Sequence, residues 1–145
     1  MQDYIAFKKI WQDETEDLFE LQMIASSRLI CACSSAYAGQ ATIDELMSGL
    51  DRFINGKTNE FLWESGSRGG AAGLGPLFQS LRFFHKNKLG HILIEVYMEL
   101  SDGGNPSEHN CCFYVETELG LLEAFYKKLH LLKESDIDIK IILNE

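Results

Sequence analysis

Residues 91–100 alternate with a period of two: Ile92, Ile94, Val96, Met98 and Leu100 fall on one side, His91, Glu95, Tyr97 and Glu99 on the other. Successive side chains of a strand point to opposite faces, so this pattern specifies a strand with one face in a core and one in water. One dry and one wet face is how an antiparallel sheet behaves. Lys86-Asn-Lys-Leu-Gly90 ahead of it reads as a hairpin turn, with a partner strand over residues 77–85.

The same reading extends along the chain. Residues 4–11 predict a first strand and residues 12–17 a charged turn. Phe19, Leu21 and Met23 alternate with Leu18, Glu20 and Gln22, which suits a half-buried strand; a helix over residues 17–25 is the competing reading. Residues 28–34 predict a third strand, and residues 34–41 a loop of small side chains. Residues 61–64 and 110–116 give two more strands, and Ile137, Ile139 and Ile141 alternate with Asp138 and Lys140 in a terminal one.

Two helices interrupt these strands. Thr42-Ile-Asp-Glu45 has the form of a capping box, in which each side chain satisfies a free backbone donor of the first turn. Ile43, Leu46, Met47, Leu50, Phe53 and Ile54 then share one helical face, and Asn55-Gly56 supplies the stop. Thr117 predicts the cap of a second helix to about Lys133, with Leu119, Leu122, Phe125, Tyr126, Leu129 and Leu132 inward. Runs of strands punctuated by helices predict an α+β fold. The expectation is an antiparallel β-sheet with two α-helices packed against it, in a single domain over residues 1–145.

Composition bounds the function. The 145 residues are 46% hydrophobic and 24% charged, enough for a core held without disulfide or metal. Twenty-two acidic residues against 13 basic ones give a formal charge of −9. Such a chain repels nucleic-acid phosphates and attracts basic partners. Neither a signal-peptide pattern nor an apolar run long enough for a membrane span is present, so a cytoplasmic protein with no nucleic-acid or membrane partner is expected. The four cysteines, Cys31, Cys33, Cys111 and Cys112, then read as reduced, small buried hydrophobes on strands.

The motifs that invite chemistry are weak. The glycine-rich segment over residues 66–75 lacks the lysine that a phosphate loop requires, and Pro76 removes a backbone donor at its end. Arg68 is its one cation. Cys31-Ala-Cys33 and His109 beside Cys111 lack zinc-ligand spacing, and adjacent Cys111 and Cys112 point to opposite faces of a strand. None of the cysteines, nor His85, His91, His109 or His130, carries the signature of a nucleophile and its base. A non-enzyme without cofactor or metal is the expectation, and a small-ligand or metal-binding module built on the glycine-rich loop and the cysteines is the alternative.

Acidity is the remaining signal. Asp13, Glu14, Glu16, Asp17 and Glu20 form the densest cluster, against Lys8 and Lys9. Glu95 and Glu99, read as wet, combine with Asp102 and Glu108 of the following turn. Either group is a solvated face or a surface complementary to a cationic protein, with Trp11 and Tyr97 as anchors. The candidate contact residues are Asp13, Glu14, Glu16, Asp17, Glu95, Tyr97, Glu99, Asp102 and Glu108.

The order of features adds a resemblance. A strand pair, a small-residue loop and the Leu-Met-x-x-Leu-x-x-Phe helix face precede a Phe-x-Trp region and a strand opening on Lys-Leu-Gly90-His91-Ile-Leu-Ile-Glu-Val. Cys-Phe-Tyr-Val-Glu-Thr-Glu-Leu then runs into Leu-Leu-Glu-Ala-Phe-Tyr-Lys-Lys-Leu. Over roughly residues 18–133 the chain resembles the bacterial wall-associated-protein immunity family, which includes immunity proteins of contact-dependent growth inhibition and polymorphic-toxin systems. The resemblance implies binding and blocking of a cognate toxin C-terminal domain, a basic nuclease being the kind of toxin an acidic chain suits.

Overall fold

The computed structural model describes residues 3–67, 77–100 and 109–145. In chain order the elements are β1 (Tyr4–Gln12), β2 (Phe19–Ser26), β3 (Cys31–Ala38), α1 (Gln40–Ile54), β4 (Glu60–Gly66), β5 (Phe78–His85), β6 (His91–Glu99), β7 (Asn110–Glu118), α2 (Leu119–Lys128), α3 (Leu131–Glu134) and β8 (Lys140–Leu143). The fold is α+β. Its strands divide into two four-stranded antiparallel sheets, ordered β3-β2-β1-β8 and β4-β5-β6-β7. Helix α1 carries the chain from one sheet to the other, which is why β3 and β4 do not continue a single sheet.

One core joins the sheets to the helices. Ile5 and Phe7 of β1, Phe19, Leu21 and Met23 of β2 and Ile92, Ile94, Val96 and Met98 of β6 share one cluster with Leu46, Leu50 and Phe53 of α1 and Leu122 and Phe125 of α2. Trp63 packs edge-on to Phe7 at 5.5 Å, and its indole N–H donates to the Thr42 carbonyl at 3.0 Å. That bond satisfies the polar edge of an otherwise buried aromatic. Gln79 reaches across the layers, its amide donating to the carbonyls of Leu21 and Ser34 at 3.2 and 3.0 Å.

Several local expectations shift. Residues 34–38 are strand, not loop: small Ser34, Ala36 and Ala38 form the buried row of β3. Helix α1 starts at Gln40 with Gly39 as its N-cap, so Thr42 is the third helical residue and its Oγ1 accepts from the Gly39 amide at 3.1 Å. The second helix starts after Glu118, which occupies the N-cap position without a side-chain bond, and breaks after Lys128, while Thr117 stays in β7 and donates to Asn144 Oδ1 at 2.6 Å. Ile137 is exposed, because the terminal strand begins only at Lys140 and buries Ile141 and Leu143 instead.

Lys9 is the least expected core member. It occupies the inward row after Ile5 and Phe7 and is 1% exposed. Its ammonium donates to the Ser135 carbonyl at 2.8 Å and to Gln12 Oε1 at 3.3 Å, and lies 4.6 Å from the Phe19 ring centroid. Burial pulls its pKa down, while Asp136 and Asp17 act in the opposite sense. Lys9 is therefore a packed strut beneath the first acidic turn, not a solvated counter-charge to it.

Candidate functional site

The outward rows of β4 to β7 build one surface. On β6 the inward residues are Ile92, Ile94, Val96 and Met98, so Leu93, Glu95 and Tyr97 face outward. Cross-strand pairing sets Glu95 between Arg82 of β5 and Tyr114 of β7. Arg82 donates to Glu60 Oε1 at 2.8 Å and to Glu95 Oε2 at 2.9 Å, and its guanidinium lies 5.1 Å from the Phe84 ring centroid. Lys86 bonds Glu116. Leu62 and Tyr114 are 53% and 45% exposed, and among the described residues no element packs over this half of the sheet.

Electrostatically the surface is acidic. The outward carboxylates are Glu60, Glu64, Glu95, Glu116 and Glu118, while Arg82 and Lys86 are its cations. Hydrogen bonds from Arg82 and Tyr114 hold the Glu95 carboxyl below the usual range, and Lys86 does the same for Glu116. The bond to Glu95 pushes the Tyr114 phenol up. Both carboxylates are thus kept charged, as a surface that attracts cations requires.

The predicted contact residues fall in different places. Glu95 and Tyr97 belong to this face, with Tyr97 half-buried and its ring 5.9 Å from Phe78. Glu99 does not fulfil the expectation of a wet residue: it is 5% exposed, at the end of the face where Phe78 and Ser80 are also buried. There β6 closes on the first sheet, and Ser34 Oγ donates to the Glu99 carbonyl at 2.9 Å. Asp102 and Glu108 lie outside the described residues, as do Arg68 and Pro76 and most of the glycine-rich segment.

The turn joining β1 to β2 holds the other four. Asp13 Oδ1 accepts from the Thr15 and Glu16 amides at 2.8 and 3.0 Å, and those bonds lower its pKa. The Asp17 carboxylate accepts from the Gln40 amide at 3.0 and 3.1 Å, satisfying an orphan donor at the start of α1. Both aspartates therefore shape the turn and cap the helix, leaving Glu14 and Glu16 exposed on it. This turn belongs to the first sheet and Glu95 to the second, so the two acidic groups are not one constellation.

The cysteines are a correction. Cys31, Cys33 and Cys112 are exposed and Cys111 is half-buried, because they sit on outward rows or strand ends of β3 and β7. Partial burial nevertheless raises the Cys33, Cys111 and Cys112 thiols, which disfavours the thiolate that nucleophilic or metal chemistry needs. His85 stacks on Phe53, His91 bonds Asn87, and His130 bonds Glu134. Among the described residues no group of three or more His, Cys, Asp or Glu is placed to hold a metal ion.

Comparison with known protein families, curated proteins and solved structures finds no match to the chain. No helix is long and apolar enough to cross a membrane, among the described residues. What the site offers is a half-open sheet face with tyrosines, an arginine and an excess of ordered carboxylates. Sequence reasoning missed Glu60, Arg82, Tyr114 and Glu116. Their signal was present: each stands beside inward residues, as Tyr114 does between Phe113 and Val115.

Proposed function

We propose that this chain is a cytoplasmic immunity protein that binds a cognate secreted toxin domain and neutralises it stoichiometrically, without chemistry of its own. The observation that carries the reading is the open half of the second sheet, where Glu95 is held charged by Arg82 and Tyr114 amid an acidic surround. Tyrosine and arginine are the side chains most often found as binding anchors. The order of strands and helices that resembles the immunity family supports the same reading.

The chemistry of the partner follows from charge. A nuclease binds phosphates through a cationic groove, and a chain of charge −9 is complementary to it. Charge speeds encounter, while packed anchors slow release. Nanomolar binding corresponds to about 12 kcal/mol, within reach of an ordinary interface with a well-packed centre. The test is co-expression with the C-terminal domain encoded by the neighbouring reading frame, followed by co-purification and a nuclease assay. A stable complex with silenced nuclease supports the reading; no complex, or an active nuclease within it, overturns it.

A further inference from the structure

Strand β7 is an edge strand, and among the described residues its free side is closed at one end and open at the other. Leu100 donates its amide to the His109 carbonyl and Leu119 donates to the Gly90 carbonyl, both at 2.9 Å. In the β6–β7 register these bonds mark the odd-numbered residues of β7 as the ones that bond to β6. The even-numbered residues therefore turn their N–H and C=O groups away from the sheet.

At Glu116 those groups are already taken. Its amide donates to Asp3 Oδ2 at 2.9 Å, and its carbonyl accepts from Asn144 Nδ2 at 2.8 Å. Such side-chain caps block another strand from pairing there. Cys112 and Tyr114 have no such cap: among the described residues their outward backbone groups meet no partner, and both residues are exposed. An open cleft of about 960 Å³ continues from this edge, with Leu29 and Leu121 among its apolar walls and the acids Asp3, Glu116, Glu118 and Glu145 outnumbering the cations Arg28 and Lys86. Leu29 is 90% exposed.

We infer that the Cys112–Tyr114 edge of β7 is a docking edge for an extended, amphipathic basic segment of a partner protein. This deepens the proposed function and rests on it for the partner's identity. The main chain of the segment pairs with Cys112 and Tyr114, as in strand addition to other sheet edges. Lysines or arginines at alternate positions lie on the side of Tyr114, Glu116 and Glu95, and where the segment runs on past Glu116 its apolar residues reach Leu29 and Leu121 in the cleft. The caps at Glu116 set where pairing stops. Charge selects this occupant over a second copy, because two acidic edges of the same chain would repel.

The test uses the full chain and a defined probe: a blocked peptide alternating lysine and valine, with a glutamate-for-lysine version as control. Amide NMR and hydrogen exchange follow the residues of β7. The expected result is that the amides of Cys112 and Tyr114 exchange fast in the free protein and become protected by the lysine peptide only. Cys112→Pro, which removes an outward N–H that an edge strand can spare, should weaken the peptide by about tenfold, the worth of a hydrogen bond. Cys112→Ser keeps that N–H and should bind as the native chain does. Protection elsewhere, equal binding of the glutamate peptide, self-association through β7, or no binding at millimolar peptide overturns the inference. The two readings separate: a toxin domain still inhibited by the Cys112→Pro chain keeps the function and removes the edge. Peptide docking without any toxin partner does the reverse.

Discussion

The Tyr114 hydroxyl donates to Glu95 Oε2 at 2.8 Å, and the same oxygen accepts from Arg82 at 2.9 Å. Two donors on one carboxylate oxygen favour its charged form, and the phenol that donates becomes harder to ionise. Tyr114 is therefore expected to titrate above the ordinary tyrosine value of 10, and Glu95→Gln to bring it back down. Absorbance at the phenolate band against pH measures this; a titration unchanged by Glu95→Gln would remove the bond.

Glu95 has the complementary pH dependence. Its pKa is depressed in the folded chain, so its contribution is complete above the unfolded glutamate value and lost as pH falls through the folded one. Arg82→Met removes the larger cause and is expected to shrink that acid-side loss of stability. As a solvent-screened ion pair it contributes little to stability at neutral pH. Urea unfolding at pH 7 and below pH 4 compares the two chains.

Much of this face was legible from periodicity, and the limits were physical. The alternation of β6 assigned Ile92, Ile94, Val96 and Met98 inward correctly, because one buried face fixes a strand's register. It could not say that the end carrying Glu99 is covered, since burial there depends on β3 of the other sheet. Lys9 and the cysteines failed for the same reason. Residue type suggested a wet lysine and dry thiols, while neighbours 126 residues away, at Ser135, and the edge positions of β3 and β7 decided otherwise. The acidic turn misled because local hydrogen bonds to Thr15, Glu16 and Gln40 leave no mark in composition.

Gly49 lies inside α1, where alanine would ordinarily add about 1 kcal/mol of helix propensity. Here a Cβ would come 2.0 Å from the Phe61 ring, itself stacked on Phe83 at 5.8 Å. Displacing a packed aromatic costs about 1–3 kcal/mol, so the clash wins and Gly49→Ala is expected to lower the melting temperature. Adding Phe61→Leu should recover part of the loss. A stabilised single variant would show that α1 does not press on β4.

Asn144 carries two duties. Its backbone has a φ of 71°, which asparagine tolerates better than most residues, and its amide bridges the Asp3 and Glu116 carbonyls at 3.0 and 2.8 Å. Asn144→Ala loses both and is expected to cost about 2 kcal/mol, combining strain and lost hydrogen bonds. Asn144→Gly keeps the conformation and should cost less. Equal costs in chemical unfolding would mean that backbone strain plays no part.

Asp17→Ala is expected to destabilise by about 1 kcal/mol through loss of the cap on α1. It should leave binding of a basic partner unchanged, since the turn between β1 and β2 is not part of the second sheet's face.

The most direct measurement is the association rate of the co-purified toxin domain with three chains at low salt: native, Glu95→Lys with Glu116→Lys, and Glu14→Lys with Glu16→Lys. Both charge-reversed chains change net charge equally, so only the position of the charge distinguishes them. Association is expected to slow by at least about tenfold for the first pair, a steering effect that salt screens away, and far less for the second. Equal rates for both pairs, or slowing confined to Glu14 and Glu16, would contradict it.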